Sequence, residues 1–149
     1  MIAVIQRVKS SSVKVDGEIV GQIEKGLNIL LGVKKGDTKE DIQKLVNKIV
    51  NLRIFQDEND KMNLSLIDIK GEALVISQFT LAGNIKKGRR PSFDSSEDPK
   101  IANEYYEEFK KLVEQNGIKV QSGVFGANMN VNILNDGPVT FIVDSKELN

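Results

Sequence analysis

Neither cysteine nor histidine occurs in this chain of 149 residues. Without cysteine there is no disulfide, no thiolate nucleophile and no cysteine zinc site. Without histidine, Ser-His-Asp and Cys-His catalysis cannot be assembled from this chain alone, and the usual near-neutral general base is gone. An excess of one charge is missing too. The 21 Lys and Arg balance 21 Asp and Glu, so no global basic signature points to nucleic acid and local charge must be weighed instead. No apolar run approaches the roughly 18 residues needed to span a bilayer. The opening Met1–Arg7 reads as a strand, without the basic region and small-residue cleavage site of a signal peptide. A cytosolic protein is expected. Its chemistry must use backbone groups, hydroxyls, amides, carboxylates, Lys, Arg or a group on the substrate.

What is present fits a soluble globular protein: 40% hydrophobic and 28% charged residues, within the usual range. The length suits one domain over residues 1–149. Met1–Val8 is apolar and β-branched. Ser12–Val15 and Glu18–Ile23 alternate around an Asp16-Gly17 hairpin signal. Leu27–Val33 is nearly continuously apolar, as in a strand buried on both faces. Thr38 is placed to cap a helix over Lys39–Asn51, with Asp41 three residues on and Ile42, Leu45, Val46 and Ile49 on one face. Short strands are expected at Leu52–Phe55 and Met62–Ile67, around an acidic turn at Asp57–Asp60. That turn lacks the glycine and distal glutamate of a calcium loop, and no metal is expected. Glu72–Leu81 reads as a strand and Ala82–Ser96 as a loop.

Asp98-Pro99 opens a second helix, with proline at its first position. Ile101, Ala102, Tyr105, Phe109, Leu112 and Val113 make its expected apolar face, and Asn116-Gly117 ends it. Ile118–Val124 is a further strand. From Asn128 onward, Met129, Val131 and Ile133 alternate with Asn128, Asn130 and Asn132. The asparagine row either faces water or lines a hydrogen-bonded subunit interface. Strands dominate, with two helices between groups of them. The expected fold is α+β, a curved and mainly antiparallel sheet or incomplete β-barrel with two packed helices.

Three stretches are candidates for chemistry. Ser77-Gln78-Phe79-Thr80 puts hydrogen-bonding side chains at the exit of an apolar strand, where Ser and Thr ordinarily satisfy local backbone. Lys86, Lys87, Arg89 and Arg90 crowd one loop, which is either solvated or faces phosphates; Arg90 could instead pair with Asp94 or Glu97. In Asn135-Asp136-Gly137-Pro138-Val139-Thr140, a Gly-Pro step separates two β-rich runs. Such a step is ordinarily a tight turn between antiparallel strands. It can also be a rigid backbone wedge that presents carbonyls to a ligand.

Four segments together, Ser77–Leu81, Gly88–Phe93, Gly123–Met129 and Asn135–Thr140, in this order and in a chain of this size, resemble the D-aminoacyl-tRNA deacylase family from end to end. Ile5-Gln6-Arg7-Val8 also fits. The resemblance implies hydrolysis of the ester joining a D-amino acid to the terminal adenosine of tRNA, and of glycine mischarged on tRNA(Ala). It implies a homodimer with active sites at the subunit interface and no metal or other cofactor. Ser77, Gln78, Phe79 and Thr80 would wall the pocket around the scissile ester. Gly137-Pro138, held cis and fixed by Arg7, would enter the partner's site to reject L-amino acids, with Phe125 nearby. Lys86, Lys87, Arg89 and Arg90 would meet tRNA phosphates. A non-catalytic tRNA-binding module on the same fold and a dimeric β-rich scaffold are the alternatives. A scaffold would need only the hydrophobic pattern, not these motifs.

Overall fold

A single long strand, β1 (Ile2–Val15), is the spine of the molecule. The computed structural model describes residues 1–149. On one side of β1 lie β2 (Glu18–Ile23), paired with its C-terminal half, and β3 (Gly26–Gly32), paired with its N-terminal half. On its other side runs β8 (Asn130–Asp144), antiparallel along nearly the whole length. β3 continues into β6 (Glu72–Ser77) and β7 (Lys119–Ser122), both pairs parallel. Parallel neighbours need long crossovers, and these are where the helices sit. α1 (Lys39–Asn51) lies between β3 and β6, followed by a small antiparallel pair, β4 (Phe55–Gln56) and β5 (Met62–Leu64). α2 (Pro99–Gln115) lies between β6 and β7.

The sheet curls until its outer strands touch. At Gly21 in β2, an added Cβ would stand 2.6 Å from the Ser122 carbonyl oxygen in β7, so only glycine lets the two backbones come so close. The result is a nearly closed barrel-like sheet with two cores. Ile5, Leu27, Ile29 and Val75 pack against Ile42, Leu45 and Ile49 of α1 and Phe109 of α2. Burying each such side chain is worth about 1.5–3 kcal/mol. Inside the curl, Val8, Val13, Ile23, Leu74 and Ile76 form a smaller cluster. Val8 and Val13 are an odd number of residues apart, so strict alternation would place them on opposite faces. A register shift between Val8 and Ser10 against β8 resolves this, because one extra residue reverses the parity of the strand.

Several expected boundaries move. The middle strand ends at Ser77, not Leu81, and Phe79–Ala82 is a 3-10 turn. The strands near residues 55 and 64 are shorter than the apolar runs. The acidic turn is tied to itself: Asp57 Oδ1 accepts the Asn59 and Lys61 N–H groups at 2.8 and 3.0 Å. Those bonds hold its carboxyl below the ordinary carboxylate range. On α2 the buried stripe centres on Tyr106, Phe109 and Val113, while Ile101 is exposed. Tyr106 can be buried because its hydroxyl donates to the Val75 carbonyl at 2.8 Å. Burial pushes this phenol up to about 12.

Candidate active site

The Gly-Pro step is not a turn between two strands. β8 runs through it, with both halves pairing with β1. Gln6 lies opposite Thr140 and Val8 opposite Asn135, so Asp136 to Val139 bulge out of the ladder opposite Arg7. The sequence pattern of two β runs was sound. Of the two readings of the step, the tight turn is excluded; a large bulge carries the same Gly and Pro signals as a turn. The Gly137-Pro138 peptide is cis, and both residues are exposed.

Side chains hold the bulge from within. Arg7 is only 4% exposed. Its Nε donates to the Asp136 carbonyl at 3.0 Å, and Nη1 donates to the Ile54 carbonyl at 2.9 Å. The planar guanidinium thus ties the bulge to the segment after α1 in a fixed geometry that lysine could not copy. Asn135 closes the base. Its Oδ1 accepts the Val139 N–H at 3.1 Å, and its Nδ2 donates to Thr140 Oγ1 at 2.9 Å. Gly137 has φ +127°, and a Cβ there would meet Val139 Cγ2 at 2.8 Å and Arg7 Nη2 at 3.0 Å. Only glycine fits.

A cleft of about 470 Å³ opens elsewhere on the chain, and Ser77, Gln78, Phe79 and Phe125 all line it. β6 delivers Ser77 and Gln78, whose N–H donates to the Leu31 carbonyl at 2.8 Å. The chain then tightens into the 3-10 turn carrying Phe79 and Thr80. The first N–H groups of such a turn have no partner within it, so the backbone donors of Phe79 and Thr80 are free to face a ligand. Gln78 Nε2 donates to Thr80 Oγ1 in a short hydrogen bond. Phe125 is set by its ring contact with Tyr106, with centroids 5.9 Å apart. Glu97, Ala127 and Met129 also line the cleft, a placement the sequence reading does not give them: Glu97 enters it only as a partner for Arg90 and Met129 as part of an alternating strand. Ala127 and Met129 lie in the Gly123–Met129 segment, whose small residues were the available signal.

Lys86, Lys87, Arg89 and Arg90 are exposed. They sit beyond a pair of hydrogen bonds between Asn84 and Ser92, of 2.7 and 2.9 Å, so the expected loop is a braced hairpin with a basic tip. None of the four makes an ion pair within the chain, and Arg90 does not join Asp94 or Glu97. One chain therefore brings Ser77, Gln78, Phe79 and Phe125 together in the cleft, keeps Thr80 outside its lining but bonded to Gln78, and separately joins Arg7 to the Gly137-Pro138 bulge. It does not place the Gly-Pro bulge in the cleft. No group of three or more acidic side chains is arranged to hold a metal ion, and no helix is long and apolar enough to cross a membrane.

A curled sheet carrying such a cleft and a cis Gly-Pro bulge defines a class, and comparison with known proteins places the chain in it. The family model for D-Tyr-tRNA(Tyr) deacylase matches residues 4–144, and the chain belongs to that family. It is 68% identical to a D-aminoacyl-tRNA deacylase of Persephonella marina, over 99% of this chain and 100% of the relative. It is 62% identical to one of Aquifex aeolicus, with the same coverage. Among solved structures, the c-Myc DNA Unwinding Element Binding Protein superposes with a TM-score of 0.91 at 38% identity, covering 97% of this chain and 98% of that one. A "probable eukaryotic D-amino acid tRNA deacylase" shares the fold, with a TM-score of 0.85 at 17% identity over 96% of this chain and 98% of that one.

Proposed function

We propose that the protein hydrolyses the ester of D-aminoacyl-tRNA, releasing the free D-amino acid and intact tRNA, and that it works in the cytoplasm as a homodimer. The observation that carries the mechanism is the separation of the two halves of the site. The exposed Gly137-Pro138 bulge and the cleft lined by Ser77 to Phe79 do not meet in one chain. A second copy would supply the bulge to the cleft. β8 supports this, because it pairs with β1 alone. It carries Leu134 and Ile142 at 56% and 71% exposure, an unprotected apolar edge strand of the kind that pairs.

In that arrangement the rigid bulge would hold the amino group and the Cα–H side of the substrate with its carbonyls. An L side chain would collide with backbone that cannot relax, while a D side chain would point outward. Glycine, with no side chain, would pass, which extends the activity to glycine mischarged on tRNA(Ala). Steric exclusion is needed because binding differences between small apolar groups give only about 10–200-fold discrimination.

The chemistry is substrate-assisted. Water attacks the ester carbonyl, and the bond to the ribose oxygen breaks. One proton of the water goes to the leaving ribose oxygen, the other is released to bulk water, and the amino acid departs as its carboxylate. The vicinal 2′-hydroxyl orients or activates the water. The Phe79 and Thr80 N–H groups, or Gln78 Nε2, donate to the developing oxyanion. Thr80 as a nucleophile is disfavoured by its partner. Its hydroxyl accepts from an amide N–H, and a donor cannot take its proton. Lys86, Lys87, Arg89 and Arg90 neutralise acceptor-stem phosphates, each phosphate steepening the salt dependence of binding by about 0.7–0.9 in slope.

Release of amino acid from matched D- and L-aminoacyl-tRNA tests the reading; equal rates would sink the chiral wedge. For the mechanism, Thr80→Val should retain deacylation within about tenfold, whereas a tRNA ending in 2′-deoxyadenosine should be inert. The opposite pattern would make Thr80 the nucleophile.

A further inference from the structure

Two exposed aromatic rings stand between the cleft and the basic hairpin. Phe79 lines the cleft yet is 56% exposed. Phe93 follows the closing residue of the hairpin, Ser92, and is 40% exposed. Their centroids lie 5.2 Å apart with the rings tilted by 59°. Phe93 is fixed from behind, because at Gly83 an added Cβ would stand 3.0 Å from its Cε1. The four unpaired cations lie just beyond, at the hairpin tip. We infer that Phe93, supported by Phe79, is a stacking platform for the base immediately 5′ of the terminal adenosine. It would position the single-stranded 3′ end of the tRNA as that end enters the cleft. This deepens the deacylase reading and rests on it.

The physical case is one of matched chemistry. A strand whose last nucleotide occupies the cleft, and whose phosphates meet Lys86 to Arg90, must pass over this apolar surface. Unpaired bases stack on aromatic side chains flanked by cations, and each stack is lost sequence-tolerantly when the ring is removed. Duplex phosphates alone would be served by the cations and would leave the rings without a purpose. Charge favours a polyanion here over the β8 edge of a second copy, whose two acids, Asp136 and Asp144, already face Arg7 and Lys34.

A double-mutant cycle tests the platform. Hydrolysis of a D-aminoacyl minihelix is compared with that of a minihelix abasic at the nucleotide before the terminal adenosine, using the wild type and Phe93→Leu. Phe93→Leu should lower kcat/KM on the intact minihelix roughly tenfold. The abasic substrate should lose about as much with the wild type, and nothing further with the variant. Phe93→Tyr, which keeps the ring, should restore the coupling and shows that the hairpin folds. Additive losses, or no loss with Phe93→Leu, would overturn the inference. So would a loss traced by sedimentation to dissociation of the protein. If the wild type fails to cleave the intact D-aminoacyl minihelix at all, the deacylase reading fails instead.

Discussion

The second half of β8 is anchored at each end by a polar cluster, and the two clusters spend their hydrogen bonds differently. At the Asp144 end, every partner but Lys146 turns inward. The Met1 ammonium donates to Asp37 Oδ1 at 2.6 Å and to Ser145 Oγ at 2.9 Å, and Ser145 Oγ donates onward to Asp41 Oδ1 at 2.7 Å. Asp41 Oδ2 also accepts from the Thr38 N–H at 2.8 Å and from Lys146 Nζ at 3.1 Å. At the Arg7 end, a buried guanidinium and Asn135 are equally well partnered, but what they hold is an exposed, non-ladder backbone. A satisfied buried network rigidifies whatever it touches. At one end that is the junction of β1, β8 and α1. At the other it is a tip that stands exposed to solvent. Similar polar chemistry thus serves as a clasp in one place and as a mount in the other.

The sharpest way to break this comparison is Gly137→Ala. The added methyl meets Val139 Cγ2 and Arg7 Nη2 within 3.0 Å, at a φ of +127°. Backbone strain of this kind costs about 1–3 kcal/mol. The bulge would relieve it by moving, and a displacement near 1 Å costs on the order of 100-fold in rate. We expect kcat/KM on D-aminoacyl-tRNA to fall by that factor, with the D over L ratio falling as well, while the melting temperature drops by only several degrees. Lost stability with intact activity and intact selectivity would make the bulge a second clasp.

Much of this contrast was open to the sequence, but unevenly. The helices, the two-sided burial of β3 and the Met129, Val131, Ile133 alternation follow from periodicity alone, because burial of a face is a repeating constraint. The continuity of β8 through Gly137-Pro138 was not legible, since a bulge and a turn use the same residues and only pairing with β1 separates them. The strand end at Ser77 was missed for a related reason: Phe79 and Leu81 extend the apolar pattern into a 3-10 turn. Arg7 was tied to the bulge by family likeness, but its second bond, to the Ile54 carbonyl, depends on a contact between distant segments. The clasp carried no local signal beyond Thr38 and Asp41, because its members come from residues 1, 37, 41, 145 and 146.

Asp41→Asn probes the clasp in the complementary direction. Burial alone would raise the Asp41 carboxyl, but the bonds from the Thr38 N–H, Ser145 and Lys146 outweigh it and hold the group far below its ordinary 3.8. A carboxyl depressed in the folded state contributes stability that is complete above 3.8 and lost as the pH falls through the folded value. The variant should therefore be less stable by about 2 kcal/mol at neutral pH. The gap to the wild type should close only in strong acid, as followed by denaturant melts across pH. Deacylation by the folded variant should stay within about twofold of the wild type, because nothing it touches reaches the cleft or the bulge. A large loss of activity would mean that the clasp also sets the bulge.

Lys146→Ala gives the smallest effect and asks where the strength of the clasp resides. Its side chain is 59% exposed, although it bonds Asp41 at 3.1 Å and lies 3.9 Å from Asp37. The Asp41 hydrogen bond raises its pKa above 10.5. Any stabilisation it gives is thus complete below 10.5 and lost as the pH rises through the folded value. Solvent screens an ion pair in this position, so the melting temperature should shift by no more than about 2 °C, and by less in high salt. Asp41 keeps its bonds to the Thr38 N–H and to the buried Ser145 when the lysine is gone, and these two partners hold the junction. A shift as large as that of Asp41→Asn would instead place the clasp's strength in its exposed ion pair, and would remove the distinction between a network sealed inside the fold and one that works at its surface.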